Sequence, residues 1–443
     1  MRVIAVLLLM VAGLANAQAG PERRITERVF FIPDPGASTV RFQMLVLAGC
    51  GDEPGGDCRG IAHYLEHLIL VGRNSQHSDQ ALRFFADGFS NGWTNLKATG
   101  YVHSFPAGAA DAPARLEQLF AFYAARLRYF AITEQDAQRE RAVVRQEYDW
   151  RYGGNAHAPM WKEVSRFLFP GHPMGQWAIG DPARFDLLTV ESARAFHAQW
   201  YRLSNVYLFV TGPVDEALVR TLTERHLAPL PADPPPERAW LANPPALKPE
   251  RIVLSHQDPR IGEPSVAFWK AVQLLRPDPI RLKAVVVLLN EFLKSRITGS
   301  PHSHMVEHDE IALSIGSARI ENGLHGVLQA SLTVVPESDV PDDRIAETAA
   351  GYFAVLAEKG LDERTLGRLK RRLAVVHERQ LADPQEAASR LSDWLSAGLP
   401  YERLKDFPGV VEALTPADIA IVLRALAEPG REAIVHYRPA GQP

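Results

Sequence analysis

The chain has 443 residues, 46% hydrophobic and 23% charged, which is material for two or three domains with ordinary globular cores. With 48 Lys and Arg against 52 Asp and Glu the net charge is −4, which argues against both a basic nucleic-acid surface and an acidic disordered tail. Two cysteines exclude a disulfide scaffold and a four-thiolate zinc site.

Residues 1–17 are expected to form a cleavable bacterial leader. Arg2 opens it, an apolar run follows from Val3 to Ala15, and Ala15-Asn16-Ala17 has the small-x-small pattern of a cleavage site. The run is too short to span a bilayer comfortably, and no later stretch reaches about 20 apolar residues. The mature chain is therefore expected to be soluble, in the periplasm or secreted. In such an oxidising compartment Cys50 and Cys58, eight positions apart, are expected to pair, with thiolate metal ligation as the alternative.

From the leader onward, the pattern predicts two strands (one opening at Arg28, the other over 40–47). A helix at 60–71, a helix at about 79–87 and a strand at 94–105 follow. Helices at about 112–130 and 134–152, a helix near 190–201 and a strand at 205–210 complete the first half. Thr133 with Asp136 gives the 134–152 helix its start signal. The prolines of 231–250 mark a linker, because proline lacks the amide donor and fixes φ. The second half opens on Arg251-Ile252-Val253-Leu254 as the first opens on Arg28-Val29-Phe30-Phe31. A strand at 265–272, a helix at 279–295, strands at 311–319 and 326–335, helices near 342–358 and 362–382, and a strand at 432–437 follow. The expected organisation is a duplicated α+β unit with domains at 25–230 and 251–440.

The segment richest in chemistry is Gly60-Ile61-Ala62-His63-Tyr64-Leu65-Glu66-His67. Ile61, Leu65, Leu68 and Ile69 recur at helical spacing and define a buried stripe. His63 and His67 are four apart on one helix face, close enough to chelate one cation, while Glu66 overhangs the same site. His-x-x-Glu-His is the pattern of inverted zinc proteases. The same spacing also suits a solvated helix face, so a third ligand decides. Glu140 and Glu147 lie seven apart on one face of a partly apolar helix, where a buried carboxylate needs a partner and a cation supplies one.

Here the sequence resembles the pitrilysin-like (M16) inverted zinc peptidases, which include the mitochondrial processing peptidases. Gly49 to Glu53, the motif and its exit to Gly72, Ser90-Asn91-Gly92-Trp93-Thr94, the Glu140 to Glu147 segment, and His172 to Gly175 with Gly180 through to Gly212 follow the family in order. These cover most of residues 25–215. The resemblance implies a two-domain fold of mostly antiparallel sheets flanked by helices (the M16/LuxS-like fold) and one zinc ion. It implies His63, His67 and Glu147 as ligands, Glu66 as general base, and Glu140 as a carboxylate orienting a ligand. It also implies that Asn91 holds the substrate backbone against a sheet edge. The second half is similar through Glu358 to Lys370 and Leu414 to Asp418 but carries no zinc motif. Members that act alone have an Arg and a Tyr there. In this chain Val306 and Leu313 stand in those places, and neither donates a hydrogen bond.

The expected function is therefore a zinc endopeptidase, the catalytic subunit of a heterodimer, or a homodimer, in which another M16 subunit supplies Arg and Tyr. Two halves of about 210 residues match the half-length, two-subunit members rather than the long single-chain ones. One alternative is a stand-alone peptidase using another second-half residue such as Arg296; another is a zinc-binding assembly subunit without catalysis. His302, His304 and His308 read as a polar loop, with a second metal cluster as the alternative.

Overall fold

A computed structural model describes residues 22–71, 88–108, 110–275, 277–322 and 326–441. The expected leader and the helix at about 79–87 lie outside these residues. Among the described residues no helix is long and apolar enough to cross a membrane.

The chain forms two compact units. One comprises Met1–Arg145, Ala178–Glu237 and Val376–Asp406, and the other Gln146–Trp177, Arg238–Val375 and Phe407–Pro443. The first unit is built on a sheet ordered β1-β2-β6-β3-β5-β4, where β1 is Arg23–Arg24, β2 Val29–Pro33, β3 Thr39–Val46, β4 Phe89–Thr94, β5 Thr99–Pro106 and β6 Val206–Gly212. Only β2 and β6 pair in parallel. The second unit has β7 (Glu250–Asp258), β8 (Ser265–Gln273), β9 (Ala312–Asn322), β10 (Val327–Pro336) and β11 (Arg431–Pro439), ordered β7-β11-β8-β10-β9. Here β7 and β11 are the parallel pair. Each unit thus lays its first long strand beside its last, then its second, fourth and third. The duplicated, mostly antiparallel α+β architecture expected from the sequence is the one found.

Alternation along the strands gives each sheet two covered faces. In the first unit Phe42 stacks on Tyr123 and meets Phe120 edge-on, both carried by the helix Ala112–Arg128. That helix buries Leu116, Leu119, Phe120, Tyr123 and Leu127 at helical spacing. The next residue of β3, Gln43, turns to the opposite face and donates to Ser392 Oγ at 2.9 Å, on the helix Pro384–Ser396. In the second unit Phe268, Leu332 and Ile434 pack with the helices Pro279–Leu293, Asp342–Lys359 and Pro416–Ala427. Ala267, Ala433 and Val435 pack on the other face, with Leu168 and Phe169 at the end of the helix Ala158–Leu168. Each unit therefore covers one sheet face with a helix taken from the other half of the sequence.

The strand expected at 94–105 is found as β5, which begins at Thr99; residues before it form the hairpin turn from β4, a strand the sequence did not predict. Asn95 makes that turn, its side-chain oxygen accepting from the amides of Lys97 and Ala98 at 2.7 and 2.9 Å. The helix expected at 134–152 ends at Tyr148 and loosens into a π-helical turn over Asp149–Gly153.

Candidate metal centre

The helix α1, Ile61–Val71, lies across β4 and β5. It carries His63, Glu66 and His67, with Ile61, Leu65 and Leu68 buried beneath. Its start is fixed by a close backbone crossing. Gly60 has φ +94°, and a Cβ there would stand 2.5 Å from Ile179 O; Gly180, φ +86°, would meet Arg59 O at 2.3 Å. Only two glycines allow the strands of chain to pass at that distance.

The third acid comes from the helix α2, Glu134–Tyr148. Its residues up to Arg145 belong to the first unit, and Glu147 rides in its last turn. Tyr64 couples α1 to α2 by donating to Ala137 O at 2.7 Å. The outcome is a cluster in which one ligand atom each from His63, His67 and Glu147 lie within 4.8 Å of one another. Among the described residues no other such trio of His, Cys, Asp or Glu is found, so His302, His304 and His308 do not assemble a second one. His302 lies beside Glu307, and His304 and His308 lie beside Asp309, instead.

Two imidazole nitrogens and one carboxylate oxygen are the donor set that zinc accepts in hydrolytic sites with an open fourth position. The residues present therefore fit the metal that the motif implies. Around them, Glu140 is buried, its Oε2 3.6 Å from His67 Nδ1, while its Oε1 accepts from Arg139 at 3.2 Å. Glu147 pairs with Arg151 at 2.7 Å, one turn on.

Glu66 is 4% exposed and faces the hairpin. Thr94 Oγ1 donates to its Oε2 at 2.7 Å. Gly92 lies over its other oxygen, 2.4 Å from where a Cβ would sit. Residues 90, 92 and 94 of β4 thus share the Glu66 side of the sheet. Asn91, between them, lines a cavity of about 330 Å³ on the other side with Arg41, Gln43, Trp93 and Ser392. The structure does not bring the Asn91 side chain to Glu66. β4 is an edge strand of the sheet among the described residues.

Below the hairpin lies a buried polar array that the sequence reading missed. Tyr101 and Tyr201 join hydroxyls at 2.6 Å, His103 bridges Ser90 and Tyr123, and burial holds both Tyr101 and Tyr201 far above the usual phenol range. Burial, reinforced by the Arg126 charge, lowers His103 to about 4. The only sequence signal for this array was an alternation of polar and aromatic residues along β5.

A second residue was missed. Glu53 is 2% exposed, and its two oxygens accept from Arg59 N at 2.7 Å and Ala62 N at 3.0 Å, at the start of α1. Burial pushes its carboxyl up to about 8, outweighing the backbone amides that draw it down. The loop that bears it is closed by a disulfide between Cys50 and Cys58, whose Cα atoms are 4.7 Å apart.

Comparison with known proteins points the same way. The family described as "Peptidase M16 inactive domain" matches residues 187–373, downstream of the histidine motif. Coenzyme PQQ synthesis protein F of Pseudomonas aeruginosa is 33% identical over 224 residues, 47% of this chain and 27% of that protein. Zinc protease PqqE of Helicobacter pylori is 24% identical over 190 residues, 42% of this chain and 41% of its own. The matches thus span well under half the length of these relatives. The crystal structure of the first half of the periplasmic protease PqqL from Escherichia coli has the same fold, with a TM-score of 0.71 at 19% identity over 94% of this chain and 91% of that one.

Proposed function

We propose that the chain is a zinc-dependent endopeptidase of the M16 type, with His63, His67 and Glu147 as the metal ligands and Glu66 as the general base. The observation that carries this reading is the convergence of three donors from two helices within 4.8 Å, with a buried carboxylate beside them. Bound zinc would polarise the scissile carbonyl and acidify the attacking water. Glu66, fixed by Thr94, takes the water's proton and returns it to the leaving amine. Glu140 keeps the His67 ring in one orientation. The substrate backbone adds as a strand to the β4 edge, and Asn91 holds it from the side of the sheet away from Glu66.

The second half supports division of labour between chains. Val306 packs against the second unit's core and Leu313 is exposed, so neither position offers a donor to a substrate carbonyl. A lost donor of that kind costs about 10² to 10³ in rate. A homologous M16 subunit carrying the Arg and Tyr is the proposed partner, and peptides or small proteins are the proposed substrates. The leader pattern and the periplasmic PqqL neighbour support a periplasmic or secreted location. Residues 231–250 are the proposed junction between domains at 25–230 and 251–440.

The test is peptide cleavage by the wild type and Glu66→Gln, each loaded with zinc. The expected result is equal zinc content with cleavage by the variant lowered by about 10² or more. Undiminished cleavage by Glu66→Gln removes Glu66 from the mechanism.

A further inference from the structure

His63 sits in an exposed mechanical position for a metal ligand. It is the third residue of α1, and the first-turn amides of a helix have no intrahelical acceptor. His67, a turn further on, is held by the helix's own ladder. A ligand in a first turn therefore frays with that turn unless something outside the helix holds it.

Glu53 supplies the missing acceptors. Its two oxygens accept from Arg59 N at 2.7 Å and Ala62 N at 3.0 Å, and the Ala62 bond ends one residue before His63. Its own loop is pinned at three points. The Cys50–Cys58 bond closes the ring around it. Asp52, within that ring, accepts from Gly49 N just ahead of it at 2.9 Å. Arg184 takes both oxygens of Asp57, beside Cys58, at 2.7 and 2.5 Å. Gly55 and Gly56, both with positive φ, let the loop double back over so few residues.

We propose that Glu53 is a positioning residue for His63, and that the Cys50–Cys58 crosslink is the clamp that holds Glu53 against the start of the metal-binding helix. The inference rests on the reading of His63, His67 and Glu147 as metal ligands. It goes further by making metal affinity depend on a carboxyl group and a crosslink that are not themselves ligands.

The experiment measures zinc affinity by chelator competition, and the visible spectrum of the cobalt-loaded protein, for wild type, Glu53→Gln, Glu53→Asp, Glu53→Ala and Cys50→Ala/Cys58→Ala. Glu53→Gln keeps an acceptor in place and is expected within about threefold of wild type. Glu53→Asp, too short to reach Ala62 N, and Glu53→Ala are expected to weaken zinc by roughly 10- to 100-fold and to shift the cobalt bands. The double cysteine variant falls between. A purely structural cap would lower the melting temperature of Glu53→Asp while leaving zinc affinity and the cobalt spectrum of the folded protein unchanged, and that result overturns the proposal. Should Glu53→Ala fail to fold, the Asp and cysteine variants decide in the same way. A wild type that binds no metal overturns the metal-site reading and this inference together. A wild type that binds zinc as tightly as every variant overturns only this one.

Discussion

Gly92 has no side chain because Glu66 already occupies the space one would need. A Cβ there would lie 2.4 Å from Glu66 Oε1 and 2.8 Å from Leu70 Cδ1, so Gly92→Ala has to displace either Glu66 or the strand. We expect it to keep its zinc and lose roughly 10- to 100-fold in kcat, the penalty of moving a catalytic group by part of an ångström. Zinc content and single-turnover cleavage measured together check this. Tyr64 is a second case. Its hydroxyl, raised to about 12 by burial, joins the two ligand-bearing helices through Ala137 O. Tyr64→Phe removes this bond while Ala137 O keeps its place in the helix ladder, and it is expected to cost about 0.5 to 1.5 kcal/mol in urea unfolding. That His63 and His67 share a face was legible in the sequence, because helical spacing fixes it; Glu147 came only from the family resemblance, since spacing did not separate it from Glu140. Glu53 was not legible, since nothing local says that an acid eight residues before a helix will fold back onto its start.

At the scale of elements, the hairpin β4–β5 packs against the helix that carries His63, Glu66 and His67, and the buried histidines of this unit have a pH signature. His103 and His197 are both buried and lowered to about 4, chiefly by desolvation. Their folded-state values lie below the unfolded value near 6.5, so the neutral form is the one the fold stabilises. That contribution is complete above about pH 6.5 and is lost as pH falls toward 4, each histidine accounting for on the order of 3 kcal/mol. Thermal unfolding is expected to drop steeply over that interval, and less so for His197→Gln; a melting temperature flat from pH 7 to 4.5 contradicts it. The strand expected at 94–105 corresponds to β5, and β4 was not predicted. Phe89 to Thr94 is a weak strand former, rich in Ser, Asn and Gly, and only its pairing with β5 makes it extended.

At the scale of the whole molecule, the two sheets repeat one strand order, which the matching starts at Arg28 and Arg251 had suggested. The exchange of covering helices had no such signal. The helix Pro384–Ser396 buries Ala387, Ala388, Leu391 and Leu395, and apolar periodicity states that a face is buried without stating against which sheet. If another M16 subunit supplies the Arg and Tyr, mixing it with this chain is expected to raise kcat by about 10² or more, read by titrating one subunit into the other at fixed peptide. Activity of this chain alone, unchanged by any partner, contradicts that division of labour. The central claim is the three-residue metal site, and it is tested most directly by zinc content after equilibrium dialysis of the wild type, His63→Ala, His67→Ala and Glu147→Ala. The account predicts one zinc per wild-type chain and loss of it in each variant, with Glu140→Gln retaining most of its metal. A zinc-free wild type, or full retention in any of the three ligand variants, would contradict it.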